Sequence, residues 1–210
     1  MRLPNSAHES RPWRIREIAP DFILEDVWAL PTPGGAEDFP ALLKLMAASD
    51  PANSSSLPTR VLWRIRDRLG RLFDLGGIST PAGSGENDVT GGLSIPGTSE
   101  TSLAERLPED LRGTAADVDF GSLPFVPLYR TDNEFAAELS NRTVHAAMHL
   151  AWVDQGGGRY QGQMAVYVKP RGTFGKGYMA LIKPFRHLIV YPALTRQTER
   201  AWKRALRHDR

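Results

Sequence analysis

At 210 residues, 41% hydrophobic and 24% charged, the chain has the composition of an ordinary globular protein, and its length suits one domain that buries roughly 70% of its unfolded surface. A net charge of +2 leaves little of the polyanion affinity that a pI near 9.0 suggests. The absence of cysteine excludes disulfides, thiolate nucleophiles and cysteine-ligated zinc within these residues.

The first six residues are followed by His8, Glu9 and Arg11 instead of the apolar run of a secretory signal, so a cytoplasmic location is expected. No membrane span is expected either. The apolar stretch from Leu188 to Leu194 is interrupted by Pro192 and falls far short of the ~20 residues a span needs.

Asp21 to Leu30 is apolar enough to predict a first strand, ended by the breaker cluster Pro31-Thr32-Pro33-Gly34-Gly35. Asp38 is placed to cap a short helix over Phe39 to Ala48. From Pro58 to Leu75, Val61, Leu62, Ile65, Leu69, Leu72 and Phe73 recur at helical spacing among arginines, predicting a helix with one core face and one basic face. The Gly-, Ser- and Pro-rich stretch 76–98 reads as a flexible loop.

Ser102 and Glu105 have capping-box spacing for a short helix. Phe125 to Thr131 reads as a strand and Asp132-Asn133 as a turn, with Glu134 to Ser140 as a return strand or a short helix. The segments 143–153 and 159–169 flank Gly156-Gly157-Gly158 and predict an antiparallel hairpin. With a loop from Gln155 to Gly158, His149 faces Met164 and His145 faces Val168, so both histidines share a face with Met164, Val166 and Val168. A slip of one residue would exchange the second strand's faces. Tyr178, Ile182, Phe185 and Ile189 form a helical stripe, in a helix that Pro184 and Pro192 should kink or break.

His145 and His149 are the first candidates for chemistry. On a helix their spacing would let them share a metal, but along a strand it separates them by about 13 Å, too far for one ion. The plainer reading is two histidines hydrogen-bonded within a polar patch. Acidic pairs such as Asp132 with Glu134, or Asp117 with Asp119, could serve general acid/base work if they faced a cavity, but they lie beside predicted turns, where exposed carboxylates are ordinary. The glycine-rich stretch 172–177 is neither a dinucleotide fingerprint nor a Walker motif. Arg196, Arg200, Lys203, Arg204 and Arg207 could make a basic face, but Glu199 and Asp209 dilute it and no RNA-binding signature accompanies it, so no nucleic-acid partner is expected.

Several stretches carry a family likeness: Arg11-Pro12-Trp13-Arg14-Ile15, Asp26-Val27-Trp28-Ala29-Leu30-Pro31, Asn141 to His145, His149-Leu150, Gly162 to Val166, and Pro184 to Pro192. Together they resemble an uncharacterised bacterial family, a domain of unknown function. That family looks like the START-related helix-grip (SRPBCC) superfamily, whose members wrap a curved antiparallel sheet around a long C-terminal helix and often hold apolar ligands. In longer relatives the domain is similar to one fused behind an NmrA-like NAD(P)-binding module, for which this chain lacks both the length and the glycine fingerprint.

The resemblance implies an α+β helix-grip fold and a small, largely apolar ligand held between sheet and helix, with no cofactor. Polar contacts would come from Tyr129, His145 and His149, and apolar lining from Trp28, Met164, Val166, Phe185 and Ile189. The alternatives are a cyclase- or aromatase-like enzyme using a pocket histidine, and an interaction module for a separate oxidoreductase.

Overall fold

A computed structural model describes residues 1–47, 101–120, 125–140, 144–170 and 191–208. Its centre is a six-stranded antiparallel sheet in the order β1-β2-β6-β5-β4-β3, formed by β1 (Arg2–Leu3), β2 (Ile23–Gly34), β3 (Val126–Arg130), β4 (Glu134–Ser140), β5 (Val144–Asp154) and β6 (Tyr160–Pro170). The helices are α1 (Ser6–Glu9), α2 (Ile15–Ile18), α3 (Phe39–Ala47) and α4 (Tyr191–His208). The predicted helix over 58–75, the loop 76–98 and the stripe from Tyr178 to Ile189, with Phe185, lie outside the described residues. No described helix is long and apolar enough to cross a membrane.

The hairpin of β5 and β6 forms as its alternation requires, but its register is one residue away from the expected one. Gly156, Gly157 and Gly158 all have positive φ (85°, 63° and 73°), a run of left-handed conformations that only glycine adopts without strain. Asp154 Oδ1 accepts from Gly156 N at 2.7 Å, and Arg159 N donates back to Gly156 O at 3.3 Å. Arg159 therefore belongs to the turn, and Asp154 pairs with Tyr160. The consequence is that His149 faces Ala165 and His145 faces Lys169, which moves Met164, Val166 and Val168 to the opposite face from the histidines.

The breaker cluster bends β2 without ending it. Between Ala29↔Gln163 and Pro33↔Gln161, β2 spends four steps on two of β6, so Pro31 and Pro33, which have no N–H to donate, fall where the ladder is irregular. Side chains take up the polar groups left over. Gln161 Nε2 donates to Leu30 O (2.8 Å), Trp202 Nε1 to Pro33 O (2.9 Å) and Trp152 Nε1 to Gly35 O (2.8 Å), while Thr32 Oγ1 accepts from Gly162 N (3.2 Å).

Both faces of the sheet are covered. On one, α3 and α4 bring Phe39, Leu42 and Trp202 against Trp28, Leu150, Trp152 and Met164. The Trp152 ring lies 6.0 Å from Trp202 and 6.3 Å from Phe39. On the other, Trp13, Ile15, Ile18 and Phe22 from the N-terminal segment pack with Leu103, Leu107 and Leu111 over Val27, Tyr129, Ala147 and Tyr167. The segment 134–140 is a strand. Ser102 accepts from Ala104 N at 3.0 Å and heads a short 3-10 turn, Leu103–Arg106.

Candidate functional site

The face under the N-terminal segment carries a buried polar cluster. Alternation along β4 and β5 aims Glu134, Glu138, His145 and His149 to this side, and the small residues Ala136, Ala147, Ala151 and Ala165 between them leave room for inserted rings. His8 and Trp13 fill that room. The His8 ring lies 5.0 Å from His149, 5.8 Å from Tyr167 and 5.9 Å from Trp13, centre to centre.

Glu134, expected to be exposed beside a turn, is 5% exposed, because the strand begins at this residue and points it inward. Its Oε2 accepts three bonds: from Arg14 N (2.9 Å), Tyr129 Oη (3.1 Å) and His149 Nε2 (3.0 Å). Accepting from Nε2–H assigns the His149 tautomer and leaves Nδ1 as a bare acceptor. His8 is oriented in the same way, its Nδ1 donating to Gln163 Oε1 at 2.7 Å.

Burial sets the protonation of this cluster. It lowers the His149 pKa, outweighing the opposing pull of Glu134. It also lowers His8 to about 3, helped by the nearby His149 and Arg16 and opposed by Gln163. The Tyr167 phenol is pushed up to about 12, chiefly by burial, and burial with Glu134 raises Tyr129 further. The result is a buried site of neutral imidazoles and phenols with a carboxyl group behind one imidazole.

A second cluster lies further along the same strands. Glu138 accepts from Ser102 Oγ, from Leu103 N at 2.9 Å and from His145 Nε2 at 3.0 Å, while the Phe22 ring lies edge-on to His145 at 4.9 Å. The serine bonds the carboxylate and not the histidine, so this is no nucleophile-base arrangement. Its role is to anchor the 3-10 turn, Glu138 taking the Ser102 hydroxyl and the Leu103 N–H where the capping-box spacing would have Glu105 accept from the Ser102 N–H.

The structure thus brings Tyr129 and His149 together through Glu134 and places His145 in the adjacent cluster. Trp28 and Met164 pair with each other on the α4 face, and Val166 packs with Val144 and Val168 on that same face. Phe185 and Ile189 lie outside the described residues. His8, Trp13, Gln163 and Tyr167 were not among the sequence candidates, and Glu134 was weighed only in an acidic pair with Asp132. One signal did exist: Glu134-x3-Glu138 mirrors His145-x3-His149, and antiparallel pairing turns equal spacings into matched pairs. Nothing in the spacing joins His8 to Gln163, 155 residues apart. Among the described residues no group of three or more His, Asp or Glu side chains could hold a metal.

An antiparallel sheet clad by helices on both faces, with an acid-histidine cluster sealed under one of them, defines an α+β protein with a buried polar site. Residues 18–193 match the model of the family described as Protein of unknown function (DUF2867), and the chain belongs to that family. No curated protein and no solved structure matches the chain.

Proposed function

We propose that the protein binds a small, largely apolar molecule, and that its fold is a variant of the helix grip. Support for the fold comes from strand order: the first long strand, β2, lies beside the last, β6, an antiparallel meander fills the rest of the sheet, and the terminal helix packs on β2 and α3. The observation that carries binding is a cleft of about 460 Å³ between the N-terminal segment and the sheet. Ala19, Phe22 and Leu24 give it apolar walls, Glu9 and Arg16 flank them, and Tyr167 joins it to the buried cluster. That volume suits a small ligand. The proposed seat is on the face away from α4, where Trp202 and Trp152 are in contact.

Thermal melts across a panel of lipids and aromatic compounds test the reading. A ligand at a hundredfold its Kd adds ~2.7 kcal/mol, or a rise of roughly 5–10 °C for a chain of this size. Leu24→Trp, which narrows the cleft, should shrink the rise. If no compound shifts the melt and native mass spectra of fresh protein show only the bare 23.3 kDa chain, the reading fails.

Catalysis of the cyclase or aromatase kind is the second reading. What favours it is the Glu134–His149 pair, a neutral imidazole oriented by a carboxylate, as a general base requires. Product formation from a panel compound would mark it. An interaction module would call for a large apolar surface patch, whereas the exposed large apolar side chains among the described residues are Met1 and Ile23.

A further inference from the structure

A second cleft lies on the same face of the sheet, towards the β5–β6 turn. It measures about 460 Å³ and shares no residue with the cleft beside Tyr167. It sits where β2 kinks, and bulges of this kind bend a strand and re-aim side chains beside active sites. Leu3, Ala29, Pro31 and Val153 give it apolar walls, and Gln161 and Gln163 of β6 supply its polar side. Each glutamine has one end of its amide fixed by protein. Gln161 Nε2 donates to Leu30 O at 2.8 Å, which leaves Oε1 to accept, and Gln163 Oε1 accepts from His8 Nδ1 at 2.7 Å, which leaves Nε2 to donate. Neither remaining atom is among the sealed, unpartnered atoms of the core. Gln163 is 4% exposed and held by a buried ring, so its amide is fixed in direction.

The two atoms are complementary. Residues two apart on a strand stand on one face about 7 Å apart, and here one offers an N–H and the other a carbonyl oxygen. We propose that this cleft is a second site, which binds an uncharged secondary amide whose C=O accepts from Gln163 Nε2 and whose N–H donates to Gln161 Oε1. Its apolar substituents then lie on Leu3, Ala29, Pro31 and Val153. A trans amide suits the spacing, because its C=O and N–H point in opposite directions. An ester lacks the donor that Gln161 calls for. Among the described residues no charged side chain lines the cleft, so an acid or an amine would give up its hydration without an opposite side-chain charge in return. The Met1 ammonium at its edge is engaged with Ala29 O at 2.9 Å.

Calorimetric titration of the full chain with N-benzylacetamide, benzyl acetate, phenylacetate and benzylammonium varies one group on a common ring. The amide should bind roughly three- to tenfold tighter than the ester, and tighter than either ion. Gln161→Leu should bring the amide down to the ester and leave the ester unchanged, while Leu24→Trp, which narrows the other cleft, should change neither. If Gln161→Leu unfolds, Ala29→Leu, which places bulk in the cleft and removes none of its side-chain hydrogen bonds, should abolish binding of all four. An amide no tighter than the ester overturns the proposal. So does tightest binding by phenylacetate, which would put the Met1 ammonium in charge, or loss of the amide in Leu24→Trp, which would seat it beside Tyr167. Indifference to the variant used in this cleft, or no binding by any of the four, overturns it as well, while the reading of the first cleft stands or falls on its own panel of lipids and aromatic compounds.

Discussion

Glu134 gathers three donors on one carboxylate oxygen, and removing it would strand a backbone N–H, a phenol and an imidazole N–H inside the protein. Each stranded group loses a strong bond to an anion with little access to water, so the cost exceeds that of a lost surface ion pair. Glu134→Ala should destabilise the fold by ~3–5 kcal/mol, read from urea unfolding, whereas removal of a surface charge such as Glu199, paired with Lys203 at 2.6 Å, should cost far less. Equal, small losses for the two would show that the Glu134 network is weaker than its geometry implies. This residue was hard to find from the sequence because a glutamate next to a turn looks solvated until the partner strand is known.

At the scale of elements, the Pro31–Gly35 kink depends on how closely β6 approaches it. A Cβ added at Gly162 would lie 2.6 Å from Thr32 Oγ1 and 2.9 Å from Leu42 Cδ2, so Thr32 or α3 must move. Gly162→Ala should therefore cost ~1–3 kcal/mol, as overpacking does, despite the usual benefit of removing a strand glycine. Denaturant midpoints decide it, and an unchanged or raised midpoint would mean that the kink yields easily. The kink also shows why a breaker cluster is an incomplete stop signal. Two prolines forbid regular pairing, but the strand continues because Gln161, Trp152 and Trp202, distant in sequence, satisfy the carbonyls the kink exposes.

For the whole molecule, the two neutral histidines set the acid limit. In the unfolded chain both titrate near 6.5, whereas burial lowers both when folded, His8 to about 3. The unfolded chain therefore takes up protons that the folded chain refuses. Their contribution to stability is intact above about pH 6.5 and falls below it, for His8 by ~1.4 kcal/mol per pH unit down to about pH 3, with His149 adding a loss in the same direction. Asp21, whose pKa is lowered mainly by its bond from Arg106 and then by Lys169, adds its loss only below the ordinary carboxylate value near 3.8. Urea midpoints measured across this range should fall steadily below about pH 6.5. His8→Asn should flatten the slope by up to one proton, and a profile already flat between about pH 6.5 and 4 would contradict the buried neutral pair.

The sequence by itself determined the elements whose signals are local. Alternation with three glycines made the β5–β6 hairpin, apolar spacing made α3, and the strand character of 144–154 separated His145 from His149. Tertiary structure alone decided the register, because a single turn residue, Arg159, moves every β6 side chain to the other face. It also decided the site. Glu134 meets His149 across a strand pair, and His8 and Trp13 arrive from the far end of the chain to fill space left by alanines. Local propensity carries no information about which distant segment will fill that space; packing and the pairing of buried polar groups do.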